Sequence, residues 1–235
     1  MIAGGLERND PAQYDELADE WWRPAGGFAA LHWLAASRAE HIPQAATPGA
    51  VLVDLACGGG LMAPHVARLG YRHVGVDVGV PGLLLAREHG VQPIRGSVLA
   101  VPLADRCADV VVAGEILEHV EDDVAVLTEC ARLLRPGGTL VIDALADTRL
   151  SRFVMVTVLE HVPGGAPPGL HDPALFVDRQ RLLAAADRLG LDLRLVGLWP
   201  SMPQAIAWRL GLRQTVRMRP RRSTAVVFAG YGRKR

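Results

Sequence analysis

The chain has 235 residues, half of them hydrophobic, with 25 basic and 25 acidic side chains and no formal net charge. That length buries a core of its own as one domain, without metal or disulfide staples. Three cysteines (Cys57, Cys107, Cys130) exclude a disulfide scaffold and point to a reducing compartment. No uninterrupted apolar run reaches the ~18 residues of a membrane span, and Met1 to Asp10 lacks the pattern of a secretory leader, so a cytoplasmic location is expected.

Residues 11–42 read as helical. Tyr14, Leu17, Ala18 and Trp21 share one face, Leu31, Leu34, Ala35 and Arg38 another, and the Pro/Gly segment 24–27 separates them. After a linker at 43–49 the pattern alternates. Strands are expected at 51–55, 73–77, 92–95, 108–114 and 139–145, and helices at 61–69, 82–89 and 122–134. Strands apolar throughout, separated by helices, imply a parallel sheet covered on both faces, in a doubly wound α/β arrangement. After Asp147 the rhythm breaks into an apolar helix at 150–161 and a Pro/Gly-rich run at 163–169, a cover for the sheet's ligand edge. A helix at 179–189 and strands at 192–198 and 224–229 follow. The expected organisation is an N-terminal helical lid over 1–47 and a ligand-binding domain over 48–235, with a cover insertion around 147–175. From Ser201 to Arg235 nine basic residues and no acids occur, against 16 basic and 25 acidic residues before them.

Asp54-Leu-Ala56-Cys57-Gly58-Gly59-Gly60 joins the first strand to a helix. Such a turn aims backbone N–H groups at a ligand, and its glycines permit close approach. Gly58-x-Gly60-x-x-Ala63 alone also fits a dinucleotide fingerprint. Asp54 stands where a carboxylate receives a ligand ammonium, and Asp77, ending the second strand, is placed to hold both ribose hydroxyls. An amine acceptor beside the glycines suits S-adenosylmethionine better than a pyrophosphate. Ser97 and Val98, after the third strand, are placed to read an adenine edge. Here the chain resembles the class I S-adenosylmethionine-dependent methyltransferases. That likeness implies a Rossmann-like, seven-stranded, mostly parallel sheet ending in an antiparallel hairpin.

A narrower resemblance rests on Tyr14-Asp-Glu-Leu-Ala-Asp-Glu-Trp21-Trp22, Gly27-Phe28-Ala-Ala-Leu31-His32, Arg38, Gly114-Glu115-Ile-Leu-Glu118-His119-Val120 and His171-Asp172-Pro-Ala-Leu-Phe176. These look like the 3-demethylubiquinol O-methyltransferases, the UbiG family. The resemblance implies that Arg38 reaches the cofactor carboxylate, that Asp77 holds the ribose, and that the backbones at Ala56 and Gly114 line the cofactor pocket. The chain departs from the family at both of these last positions, with Ala56 for glycine and Gly114 for methionine.

Glu115, Glu118 and His119, at i, i+3 and i+4, share one face. They suit a divalent ion such as Mg²⁺, or they are helix-terminal carboxylates beside a packed histidine. The resemblance implies a metal requirement. His119, with Glu118, is the expected acid–base group, and His32 and His171 are rivals.

Trp21, Trp22, Phe28 and Trp33 are expected to pack the lid onto the sheet. The apolar residues of 150–160 and the arginines of 209–222 form a candidate edge for a lipid surface; no nucleic acid is expected. The function so read is O-methylation of a hydroxylated aromatic or quinol, releasing S-adenosylhomocysteine. The rivals are N- or C-methylation of another small molecule, nicotinamide-dependent oxidoreduction, and cofactor binding without catalysis.

Overall fold

The computed structural model describes residues 7–161 and 167–235. The first residues of the lid, 1–6, and most of the Pro/Gly-rich run, 163–166, lie outside the described residues.

Eight strands form one sheet: β1 (Val51–Leu55), β2 (Arg72–Asp77), β3 (Gln92–Arg95), β4 (Ala108–Gly114), β5 (Leu134–Leu145), β6 (Leu191–Pro200), β7 (Met218–Arg221) and β8 (Val227–Lys234). Their order is β3-β2-β1-β4-β5-β8-β6-β7. The first five are parallel, and β8, β6 and β7 add on antiparallel. The sequence reading of seven strands is thus short by one. β7, Met-Arg-Pro-Arg, carries a proline and two arginines and reads as a basic loop. Only an edge position, where a missing N–H costs no ladder bond, lets it pair. The opposite edge, β3, is also four residues long, with Pro93 inside and Arg95 at its end.

The helices are α1 (Ala12–Glu16), α2 (Ala29–Ala39), α3 (Ala63–Val66), α4 (Val80–Glu88), α5 (Asp123–Leu133), α6 (Arg149–Arg152), α7 (Arg179–Arg188) and α8 (Met202–Arg209). Alternation along the strands divides the core. Val53, Leu55, Val111 and Ala113 pack with Leu127 of α5 and Ala185 of α7. Leu52, Val110 and Val112 face the other way, onto Trp21, Phe28, Ala35 and Met62. Leu127 is fully buried, and its truncation to alanine is worth about 2–5 kcal/mol. The Asp122 and Asp178 side chains cap α5 and α7 by accepting from Ala125 N–H and from the Gln180 and Arg181 N–H groups.

Two other expectations change. The apolar segment at 150–161 is four residues of α-helix followed by π-helical and 3₁₀ turns, because its stripe lacks a steady 3.6-residue face; Met155 is buried while Phe153 is exposed. The last strand begins at Val227, later than expected, and runs to Lys234. Lys234, the sole lysine, donates from Nζ to the carbonyls of Ala131 and Leu134 at the carboxyl end of α5, which anchors the strand.

Candidate active site

Between β1 and β4 the strand order reverses, and the carboxyl ends of β1, β2 and β4 open the crevice where such sheets bind ligands. The turn after β1 uses left-handed backbone at Ala56 (φ 55°), Gly58 (φ 48°) and Gly60 (φ 79°). Ala56 therefore carries strain that glycine would not. Asp77 braces this turn by accepting from Gly58 N–H at 2.8 Å and from Gly79 N–H at 2.9 Å. Burial raises its carboxyl above the ordinary range while those amides pull it back. The Trp21 indole lies on Gly58 and Gly59 where any Cβ would collide with it, and Trp22 Nε1–H donates to the Gly59 carbonyl at 2.9 Å. Trp22 also stacks on His89 at the end of α4, so the paired tryptophans pack the N-terminal segment onto the glycine turn and α4.

Asp54 is buried, with one carboxylate oxygen 3.2 Å from His73 Nε2. Arg38 is buried and forms an ion pair with Asp143 of β5, 2.7 Å from Nε to Oδ2. Its guanidinium fills the space that a side chain at position 114 would need, so Gly114 makes room for it. Glu115 follows in left-handed backbone (φ 51°) and donates its N–H to Asp143 Oδ1 at 2.9 Å. Ser97 is exposed, and its Oγ accepts from Leu99 N–H within its own turn; Val98 is buried.

Glu118 lies in a 3₁₀ turn at 117–119, with both carboxyl oxygens buried and without hydrogen-bond partners among the described residues. Burial raises it to about 8, and Glu115 is also pushed well up by burial and by Glu118. His119 turns to other partners. Its Nδ1 meets Asn9 Oδ1, and its Nε2 meets the Tyr14 hydroxyl at 3.2 Å. The sequence expectation of a metal held by Glu115, Glu118 and His119 is thereby corrected. Both imidazole nitrogens are engaged, Nδ1 by Asn9 and Nε2 by Tyr14. Among the described residues no three His, Cys, Asp or Glu side chains group to hold an ion. This donor set does not fit a divalent cation.

His171 stacks on His119 with ring centroids 5.4 Å apart, so one rival base belongs to this cluster. Burial lowers His119 to about 3 and His171 to about 4. The other rival, His32, is tied by Nε2 to the Trp21 carbonyl at 2.7 Å. Sequence reasoning passed over Asn9, Arg8, Asp143 and Glu160. An acid inside the apolar β5 run was a visible signal for Asp143. Arg8, which pairs with buried Glu160 and donates to the His171 carbonyl, gave no such signal. A cavity of about 300 Å³ lined by Glu40, His41, Thr139, Tyr231 and Arg233 opens at the opposite end of β5, away from these groups.

A glycine-rich turn after β1, an acid ending β2 and a sheet closed by antiparallel strands define an S-adenosylmethionine-dependent methyltransferase of the Rossmann-like class. The family described as "Methyltransferase domain" matches residues 53–142. A "SAM-dependent methyltransferase" structure from Thermotoga maritima superimposes with a TM-score of 0.67 at 19% identity, over 94% of this chain and 98% of that one. The chain is also 33% identical over 206 residues to a ubiquinone biosynthesis O-methyltransferase of Cereibacter sphaeroides, spanning 80% of this chain and 83% of that one. It is 33% identical over 203 residues to its namesake in Idiomarina loihiensis, spanning 82% and 84%. The chain belongs to the ubiquinone biosynthesis O-methyltransferase family.

Proposed function

We propose that this methyltransferase transfers the S-adenosylmethionine methyl group to a phenolic oxygen of a hydroxylated aromatic or quinol-type acceptor, with His119 receiving the phenol proton. The observation that carries this reading is the Tyr14 hydroxyl on His119 Nε2. Tyr14 is itself a phenol, and an acceptor ring displacing it would make the same contact. As the oxygen–carbon bond forms and the carbon–sulfur bond breaks, the phenol oxygen gains positive character and its proton becomes strongly acidic. Even a weakly basic neutral imidazole then takes it, and S-adenosylhomocysteine leaves as a neutral thioether. Alignment of the two reactants supplies much of the acceleration. On this reading Arg38 and Asp54 serve the methionyl end of the cofactor, Asp77 the ribose, Ser97 and Val98 the adenine. The backbones at Ala56, Gly58, Gly60 and Gly114 line the pocket. Methyl-labelled cofactor offered with catechol-type and amine acceptors tests this. Label on the catechol oxygen supports it; label only on nitrogen overturns it.

The lid over 1–47 and the cover around 147–175 are read as closing on the acceptor together. Contacts of Asn9 N–H with the Gly169 carbonyl and of Arg8 with Glu160 support this. Hydrogen exchange in 150–161 that slows when S-adenosylhomocysteine and acceptor bind supports closure; unchanged exchange overturns it. The edge formed by 150–160 and the basic segment 209–222 is read as touching an anionic lipid surface, with the neighbouring apolar residues of 202–212 beside it. Ile206, Leu210 and Leu212 are 58%, 67% and 75% exposed among Arg209, Arg213 and Arg217, with no acid in the last 35 residues. No helix among the described residues is long and apolar enough to cross a membrane. Co-sedimentation with anionic but not neutral vesicles, lost in Ile206→Glu, supports the contact, and equal recovery with both defeats it.

A further inference from the structure

The asparagine at position 9 touches His119 twice. Its Nδ2 donates to the His119 backbone carbonyl at 3.1 Å, and its Oδ1 faces His119 Nδ1. A carbonyl oxygen only accepts, so the amide nitrogen must face it and the amide oxygen must face the ring. The ring nitrogen opposite an oxygen acceptor must carry the proton. That leaves the lone pair on Nε2, where the Tyr14 hydroxyl donates.

We infer that Asn9 is a positioning residue, a two-point clamp that fixes His119 as its Nδ1–H tautomer and presents the Nε2 lone pair to the acceptor phenol. This rests on the reading of His119 as the base. Few residues fit the position. The side chain must be short, must donate and accept at once, and must sit in left-handed backbone, where Asn9 lies at φ 65° and where asparagine is better tolerated than most residues. Aspartate lacks the donor, serine lacks the reach, and leucine lacks both polar atoms. Asn9 is held in turn by its own N–H on the Gly169 carbonyl at 2.9 Å, and Gln13 Nε2 reaches that carbonyl at 3.3 Å. The clamp is therefore anchored through the contact of the N-terminal segment with Gly169.

Histidine ¹⁵N spectra of the full chain test the clamp directly. The wild type is expected to show His119, assigned by its loss in His119→Gln, with a protonated Nδ1 and an unprotonated Nε2. Asn9→Leu is expected to lose that pattern and to lower kcat on the order of 100-fold, the low end of a general base's contribution, while S-adenosylhomocysteine affinity stays within about twofold. Asn9→Asp keeps the acceptor for Nδ1–H and is expected to retain the tautomer and recover part of the rate. A wild-type spectrum with Nε2 protonated overturns the clamp, as does an Asn9→Leu spectrum identical to wild type. A tautomer that follows Asn9 while His119→Gln keeps full turnover supports the clamp and removes His119 from the chemistry.

Discussion

The carboxylate of Asp143 lies 2.7 Å from Arg38 Nε, in a buried ion pair that joins α2 to β5 across the carboxyl end of β4. Both side chains are shut away from water, where removing one partner strands the other's charge at about 3–5 kcal/mol. Arg38→Met is expected to cost about that much in urea unfolding, and pairing it with Asp143→Leu is expected to restore most of the loss. A single variant within about 1 kcal/mol of wild type would show that the pair contributes nothing. Gly114→Met is expected to weaken S-adenosylhomocysteine binding, because the new side chain takes the space of the Arg38 guanidinium.

Asp77 works in both directions. Its oxygens brace Gly58 and Gly79, and on the proposed reading the same carboxylate holds the ribose hydroxyls. Asp77→Ala is expected to weaken S-adenosylhomocysteine by about 2–3 kcal/mol, as two hydroxyls lose a charged acceptor. Calorimetry with unchanged affinity would remove Asp77 from the cofactor site.

Ala56 holds left-handed backbone at about 1–2 kcal/mol. Glycine removes that strain but adds about 0.5–1 kcal/mol of unfolded-chain entropy. Ala56→Gly is therefore expected to stabilise the fold by several tenths of a kcal/mol, read as a higher melting temperature. A lower one would refute strain at this position.

Acid should loosen the cover. His119 and His171 titrate at about 3 and about 4 in the fold, below the ordinary 6.5 of an unfolded chain. Between pH 6.5 and about 4 the unfolded chain binds more protons, so stability falls as pH falls, by about 2 kcal/mol per histidine at pH 5. Urea midpoints at pH 7 and pH 5 measure this. His171→Gln should reduce the dependence, and equal slopes in variant and wild type would exclude His171 as a cause.

Much of this fold was legible because the central strands β1 and β4 are short, largely apolar runs bounded by turn residues. β1, β3 and β4 begin and end where the sequence places them. β7 was hidden because an edge strand need not look like a strand. The glycine turn and Asp77 were legible because their spacing is set by local backbone geometry. The partners of His119 were not, since Asn9 and Tyr14 lie 110 and 105 residues away and meet it only after the N-terminal segment docks. The metal reading failed for the same reason: helical spacing put three ligands on one face, and distant partners claimed the imidazole.

The two outer strands, β3 and β7, have a bearing on how copies of this chain treat one another. A bare sheet margin is a template on which a neighbour's backbone continues the ladder, the first step toward aggregates and fibres. Each margin here offers four residues, one of them unable to donate, with arginine at the end to repel a like-charged copy. During refolding at high concentration, edge-to-edge pairing between copies is thus disfavoured at both margins.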